Sequence, residues 1–453
     1  MNTSLISELK QKYQDKKVLV VGLGLQGGGV GIARFFSELG SVVTVTDKKD
    51  EVKLAPSVAA LNGLKVKFRL GGHDVSDFMG ADVIFKGPGV LWTAPEIVAA
   101  MEKGIPVEME MSFVAANFPG RMIGITGTRG KSTTTNLIFN VLKAQGLPVH
   151  LGGGLPGISN IEHLKKLGPK DYLVAELSSW ALSGFHSKKI SPHFAVFTNI
   201  FPDHLNYYPK MEDYLYDKKA IFAYQKNGDV VVINESLEKE TTGIPSRVIT
   251  FKAADFPQAL KYLKGTHNLE NAAAALKVAE ALSLDRDMAV DTIKNFSGLP
   301  YRQQIVGKKN SVVFINDTTS TTPVATIRAI DSFSDGSIYL LLGGNSKNLP
   351  CQELLDKLSN VKKIILLAGS FTDEIMHALN ERYPEKLTTV YDNLEGAVKK
   401  AYEEAANDKN PPSYVLFSPG ATSFAMFNNE FHRGDEFNRQ VNILISDVKQ
   451  TIR

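Results

Sequence analysis

The densest chemistry in this 453-residue chain is the run Ile123-Gly-Ile-Thr-Gly127-Thr128-Arg129-Gly130-Lys131-Ser132-Thr133-Thr-Thr135, where a β-branched strand passes into a helical pattern. Glycines at 127 and 130 leave backbone N–H groups open to phosphate oxygens. Lys131 supplies a cation for β- and γ-phosphates, and the Ser132 hydroxyl suits Mg²⁺. The strict phosphate-loop pattern places a small residue at position 125, where Ile125 stands, yet donors and cation keep their spacing. The bland alternative is a Gly/Thr-rich helix start with no ligand.

A second glycine loop lies earlier. Gly22-Leu-Gly24-Leu25-Gln26-Gly27 follows the strand Val18–Val21, and Asp47 closes the next strand twenty residues past Gly27. Such glycines bring backbone close to a pyrophosphate, the helix start holds phosphate, and the acid serves a ribose. NAD and a UDP-sugar both fit, and so does an empty strand–helix turn. A third group follows the phosphate loop. Glu176 ends a strand and opens Glu176-Leu-Ser-Ser-Trp-Ala-Leu182, and His204 lies in Asn199-Ile-Phe-Pro-Asp203-His204, beyond the strand Phe194–Thr198. Strand ends beside a phosphate loop are where metal ligands belong in open α/β sheets.

These residues need a scaffold. Strands are expected at Lys17–Val21, Val42–Thr46, Asp82–Phe85, Met122–Thr126, Tyr172–Ala175, Phe194–Thr198, Val230–Ile233, Val312–Ile315, Ile338–Leu342, Lys363–Leu367 and Tyr414–Phe417. Helical spacing between them, as in Lys131–Gln145, Glu270–Leu282, Pro323–Ser332 and Leu394–Ala406, gives the alternation of an α/β chain with largely parallel sheets. Breaks are placed near 108, before the turn Asn117–Gly120, and near 300, at Gly298-Leu-Pro300.

Composition narrows the class. Hydrophobic residues at 43% and charged residues at 22% describe a globular protein, and 51 Lys+Arg against 48 Asp+Glu gives too small a charge for nucleic acid. Apolar runs such as Ile364–Ala368 fall far short of the ~18 residues of a membrane span. The polar, lysine-rich start Met1–Lys17 has no apolar segment of the secretory kind. The single cysteine, Cys351, leaves no intrachain disulfide and no Cys-based zinc site. A cytoplasmic, multidomain, monomeric protein is expected, with neither nucleic acid nor membrane as partner.

The anchors Thr126–Thr133, Glu176-Leu-Ser-Ser179, Asp203-His204, His267-Asn268-x-x-Asn271-Ala272, Gly298-Leu-Pro-Tyr-Arg302, Ile315-Asn-Asp317, Leu342-Gly-Gly344 and Ser418-Pro419 together resemble the ATP-dependent Mur ligases of peptidoglycan precursor synthesis, over nearly the whole chain. Within that family the stretches Ser423-Phe-x-Met-Phe427 and Arg433-Gly434 are most similar to the branch that adds D-glutamate to UDP-N-acetylmuramoyl-L-alanine through an acyl phosphate. The resemblance implies a Rossmann-like UDP-sugar domain (1–108), a central P-loop-type ATPase domain (109–300) and a C-terminal Rossmann-like domain (301–453), whose closure would gate the reaction. It implies a ligase of cell-wall biogenesis, serving cell shape and division. It turns the first loop from NAD toward a UDP-sugar, with Leu25, Gln26, Asp47 and Lys48 facing it. Gly127, Thr128, Gly130, Lys131, Ser132 and Thr133 would cradle ATP, Asn268 and Asn271 face adenine, and Arg302 and Asp317 reach phosphate and ribose. Lys347, Ser423 and Phe424 would take the amino acid. Two Mg²⁺ ions would be held by Ser132, Glu176, His204 and a carbamylated Lys218, with Lys219 as the near alternative, and Lys131, His204 and Lys218 would be catalytic.

Four departures from that pattern stand out. Arg129 occupies a usual asparagine position, Gly152-Gly-Gly-Leu-Pro-Gly157 lacks a substrate-contacting asparagine, and Thr319 stands for a lysine that would pair an amino-acid carboxylate. Phe431 sits one place late, after Asn429-Glu430. The reaction type is therefore better specified than the substrates. The other readings are a Mur-type ligase for another amino acid or acceptor, and a non-ligase that binds NAD and ATP.

Overall fold

The computed structural model describes residues 3–25, 27–154, 159–203, 207–409, 411–423 and 426–446. Among them seventeen strands form three sheets. The first holds β1 (Lys17–Val21), β2 (Val42–Asp47), β3 (Val66–Leu70), β4 (Val83–Lys86) and β5 (Val107–Glu108) in the order β3-β2-β1-β4-β5, with all pairs parallel. The second holds β6 (Arg121–Thr126), β7 (Val149–Gly153), β8 (Tyr172–Glu176), β9 (Phe194–Phe197), β10 (Val230–Asn234) and β11 (Arg247–Phe251). Its order is β11-β10-β9-β6-β8-β7, again parallel throughout. The third holds β12 (Gln304–Lys309), β13 (Val312–Asn316), β14 (Ser337–Gly343), β15 (Lys363–Leu367), β16 (Leu387–Tyr391) and β17 (Ser413–Phe417) in the order β12-β13-β17-β14-β15-β16. There only β12, beside β13, runs antiparallel.

The α/β class with parallel sheets is as expected from the alternation. Central strands read as unbroken apolar runs because helices cover both faces; Val83–Lys86, Phe194–Phe197 and Val230–Asn234 are buried at every position. The chain divides into two compact units, Met1–Gln258 with His267–Ile293, and Ala259–Thr266 with Lys294–Arg453. The first therefore carries two sheets. One apolar cluster joins them, from Phe36 and Phe85 through Phe113 to Phe185 and Phe197. Phe113 meets Phe85 edge-on at 5.2 Å and belongs to the helix Glu110–Asn117, which links the sheets.

Topology positions the chemistry. In the second sheet β6 lies between β8 and β9, where the order of the strands reverses, so loops from three neighbouring strands open side by side at their carboxyl ends. Those loops begin at Gly127, Leu177 and Thr198. No helix among the described residues is long and apolar enough to cross a membrane.

Candidate active site

The phosphate loop joins β6 to the helix Lys131–Ala144. Two glycines make it possible. At Gly127 (φ 150°) an added Cβ would lie 1.9 Å from the Thr198 hydroxyl, and at Gly130 (φ 81°) 2.2 Å from the Asn271 amide oxygen. Only glycine fits such approaches at positive φ. Lys131 Nζ folds back onto the carbonyls of Gly127 and Thr128, each at 3.1 Å, while Ser132 and Thr133 stand half-buried at the helix start. The loop after β9 stitches this one down. Thr128 N donates to Asn199 O at 3.0 Å, Arg129 N to Asn199 Oδ1 at 2.9 Å, and Phe201 N to the Thr128 hydroxyl at 2.9 Å.

Behind the loop lies Lys218, 1% exposed, on the helix Met211–Lys219. Its Nζ donates to Gly127 O at 2.8 Å and lies 4.7 Å from the centre of the Tyr214 ring. Burial, reinforced by the Lys131 charge and opposed by Asp203, Glu176 and Asp217, holds its pKa well below the ordinary lysine value. Lys219 instead reaches Glu240 at 3.2 Å. Of the two lysines, Lys218 faces the phosphate loop.

Glu176 ends β8, half-buried, and its carbonyl accepts from Gly154 N at 3.0 Å. The helix after it starts at Ser178, whose hydroxyl caps Ala181 N at 3.1 Å and so fixes the chain as it leaves the strand. Asn268 and Asn271 are buried on the helix Thr266–Ala281; Asn271 accepts from the Thr134 hydroxyl at 3.1 Å, docking that helix on the phosphate-loop helix. Gln26, His204 and Phe424 lie outside the described residues.

In the first sheet, Asp47 holds the glycine loop: its carboxylate accepts from Gly24 N at 3.2 Å and Lys49 N at 2.9 Å. Leu25 and Lys48 are exposed. The second unit gathers its own set. Asp317 is buried and accepts from Gln303 N (3.1 Å) and the hydroxyls of Ser320 (2.6 Å) and Ser418 (2.8 Å), and burial pushes its pKa up to about 6. Lys347 donates to the Thr321 hydroxyl at 2.9 Å, and Arg302 is exposed. The Ser423 hydroxyl is buried with no hydrogen-bond partner among the described residues. Thr319 donates to Tyr301 O at 2.8 Å, so its hydroxyl serves the backbone.

Three more residues shape these loops; Glu110 and Lys86 carry no sequence signal, and Arg433 entered only through the family resemblance. Arg433, 1% exposed, donates to Thr318 Oγ1 (2.9 Å), Thr318 O (2.8 Å) and Ala421 O (3.1 Å), clamping the loops after β13 and β17; burial lowers its pKa to about 10. Glu110 accepts from Ile161 N (3.1 Å), Ser159 Oγ (3.3 Å) and Asn160 Nδ2 (3.3 Å), and a Cβ on Gly28 would lie 3.4 Å from its carboxylate. Asn160 in turn pairs with both the N–H and the carbonyl of Gly153, next to Glu176. Lys86, at the end of β4, is 1% exposed; its Nζ donates to Val90 O at 2.9 Å and sits 4.3 Å from the centre of the Trp92 ring.

Burial lowers the Lys86 pKa from 10.5 to about 8, with Asp217 opposing. Between these values the unfolded chain holds a proton that the folded chain lacks, so stability rises with pH through that window, and below pH 8 the full cost of charging is present. Lys86→Met is expected to stabilise the protein by about 2 kcal/mol at pH 7, after allowing for the lost hydrogen bond, with the gain fading toward pH 10.5. Urea unfolding at the two pH values checks this; equal effects at both would contradict it.

A phosphate loop backed by a buried lysine, in one unit with a second glycine loop, is the layout of an ATP-dependent ligase. Comparison with known proteins agrees. Residues 16–108 match the family described as Mur ligase MurD-like, N-terminal domain, and residues 125–264 the Mur ligase middle domain. UDP-N-acetylmuramoylalanine–D-glutamate ligase of Roseiflexus sp. is 35% identical over 94% of this chain and 98% of its own length. The protein of the same name from Acetivibrio thermocellus is 33% identical over 98% and 99%. Among solved structures, Thermotoga maritima MurF ligase in complex with ADP superposes with a TM-score of 0.57 at 18% identity, covering 96% of this chain and 97% of that one. The chain belongs to the Mur ligase family.

Proposed function

We propose that this chain adds D-glutamate to UDP-N-acetylmuramoyl-L-alanine in peptidoglycan precursor synthesis, in the cytoplasm. The observation that carries this reading is the full-length likeness to ligases named for that reaction, which spans all three sheets rather than the phosphate loop alone. In it the chain works as three domains, 1–108 for the UDP-sugar, 109–300 for ATP and 301–453 for the amino acid.

In this reading an acceptor carboxylate oxygen attacks the γ-phosphorus, the bond to the β–γ bridging oxygen breaks, and an acyl phosphate and ADP result. The amine of D-glutamate then attacks the acyl carbon, phosphate leaves, and the ammonium proton goes to solvent or base. Phosphoryl transfer of this kind is mostly positioning and charge neutralisation. Lys131 and the N–H groups of Gly130 to Thr133 meet the phosphates, Asn268 and Asn271 line the adenine side, and Arg302 and Asp317 serve phosphate and ribose. Leu25, Gln26, Asp47 and Lys48 take the UDP moiety, and Lys347, Ser423 and Phe424 the amino acid.

The residues present fit Mg²⁺ through a hydroxyl, one carboxylate and a modified lysine. Ser132, Glu176, His204 and carbamylated Lys218 would hold the metal; Mg²⁺, when bound, neutralises phosphate charge and polarises the transferring group.

The test is ADP release by the purified protein with UDP-N-acetylmuramoyl-L-alanine and a panel of amino acids. Release that requires both the acceptor and D-glutamate supports the reading, and preference for another amino acid overturns the substrate. Thr319 bears on this choice, because a hydroxyl spent on Tyr301 O cannot pair a carboxylate. Thr319→Lys is expected to lower the D-glutamate KM by about tenfold, the worth of one charged contact. An unchanged KM would show that Lys347 suffices.

A further inference from the structure

Arg129 sits inside the phosphate loop, immediately before Gly130, the left-handed residue that caps the helix Lys131–Ala144. Its backbone is fixed from both sides. The N–H donates to Asn199 Oδ1 at 2.9 Å, and the carbonyl accepts from the Thr198 hydroxyl at 2.6 Å and Asn199 Nδ2 at 3.1 Å. The side chain is held far less firmly: one guanidinium nitrogen lies 4.0 Å from Asp203 Oδ2, and the two side chains are 49% and 29% exposed. An ion pair at that distance and exposure is weak and readily exchanged. A phosphate at the helix start offers a doubly charged, multidentate acceptor whose geometry suits the guanidinium fork.

We propose that Arg129 is a second phosphate-binding cation, which exchanges Asp203 for the terminal phosphate of ATP when nucleotide enters the loop. The inference rests on the ATP-ligase reading and adds a residue to it. Arg129 precedes Gly130 and Lys131 follows it, with the Lys131 ammonium resting on the carbonyls of Gly127 and Thr128. A rigid backbone with a loosely held head allows the exchange with side-chain rotation alone. The terminal phosphate carries the most charge and the most free oxygens for the fork, and ADP lacks it.

The test compares binding of AMP-PNP and ADP, each with Mg²⁺, by calorimetry on the full chain and on Arg129→Ala and Arg129→Lys. Arg129→Ala is expected to weaken AMP-PNP by about 10- to 100-fold, the worth of one charged hydrogen-bonded contact, and to weaken ADP less than about threefold. Arg129→Lys is expected to recover part of the AMP-PNP affinity. Equal losses for both nucleotides, or none for either, overturn the proposal, and thermal unfolding of each variant separates loss of a contact from loss of the fold. The measurement needs neither acceptor nor amino acid, so a wrong D-glutamate assignment would leave the AMP-PNP to ADP ratio untouched.

Discussion

Lys131→Ala is expected to abolish turnover while UDP-sugar binding survives. The Lys131 ammonium rests on the carbonyls of Gly127 and Thr128, and in the proposed reading a β/γ-phosphate pair replaces those weaker acceptors. Its charge is most valuable when charge shifts during transfer. Losing one such preorganised group typically lowers kcat by ~10²–10³. The first glycine loop, to which the proposal gives the UDP-sugar, belongs to a different sheet, so its affinity has no reason to fall. Single-turnover ADP formation and UDP-sugar titration separate the effects. A variant keeping more than about a tenth of the rate would remove Lys131 from the chemistry.

The second large effect concerns Lys218. An amine with a depressed pKa gives up its proton more readily, and the free amine can attack CO₂: the N–C bond forms, a proton leaves, and an anionic oxygen donor stands where an ammonium would. The carbamate keeps one N–H, so the bond to Gly127 O survives the change. Lys218→Ala should cripple turnover with the fold intact, and acetate or formate should restore part of it by supplying carboxylate oxygens. Carbon-13 NMR with labelled bicarbonate detects the adduct in the native protein. Absence of a carbamate signal, together with an active Lys218→Ala variant, would remove the residue from the mechanism.

Legibility in the sequence followed burial. Every strand anticipated from its apolar run is interior to its sheet. The six that went unrecognised among the described residues, β3, β5, β7, β11, β12 and β16, are all edges. The reason is physical. An interior strand is covered on both faces and reads as a continuous apolar run, whereas an edge strand such as Val66–Leu70 alternates half-buried and exposed positions and resembles a loop. In the site, Lys131 and Ser132 were legible because the phosphate loop is local: its residues are neighbours in sequence as well as in space. Lys218 and Lys219 were not separable, since only packing shows which is buried. Asn268 and Asn271 were legible only through the family resemblance, and the dock of Asn271 on Thr134 spans 137 residues and leaves no local trace. Glu110 and Lys86 were invisible for the same reason, and Arg433 was legible only as part of a family motif, without its contacts.

The contacts of Glu110 bear on how such a protein can be rebuilt. One carboxylate lies where a Cβ on Gly28, at the start of the first glycine loop's helix, would meet it at 3.4 Å, and through Asn160 it reaches the strand end beside Glu176. A chimera that swaps residues 1–108, the proposed UDP-sugar domain, would set a foreign glycine loop against a resident Glu110, and the mismatch would be felt one step further on, at the end of β8. The natural unit of exchange is therefore not a domain but a domain with its receiving strut, residues 110 and 159–161 travelling with the glycine loop they support.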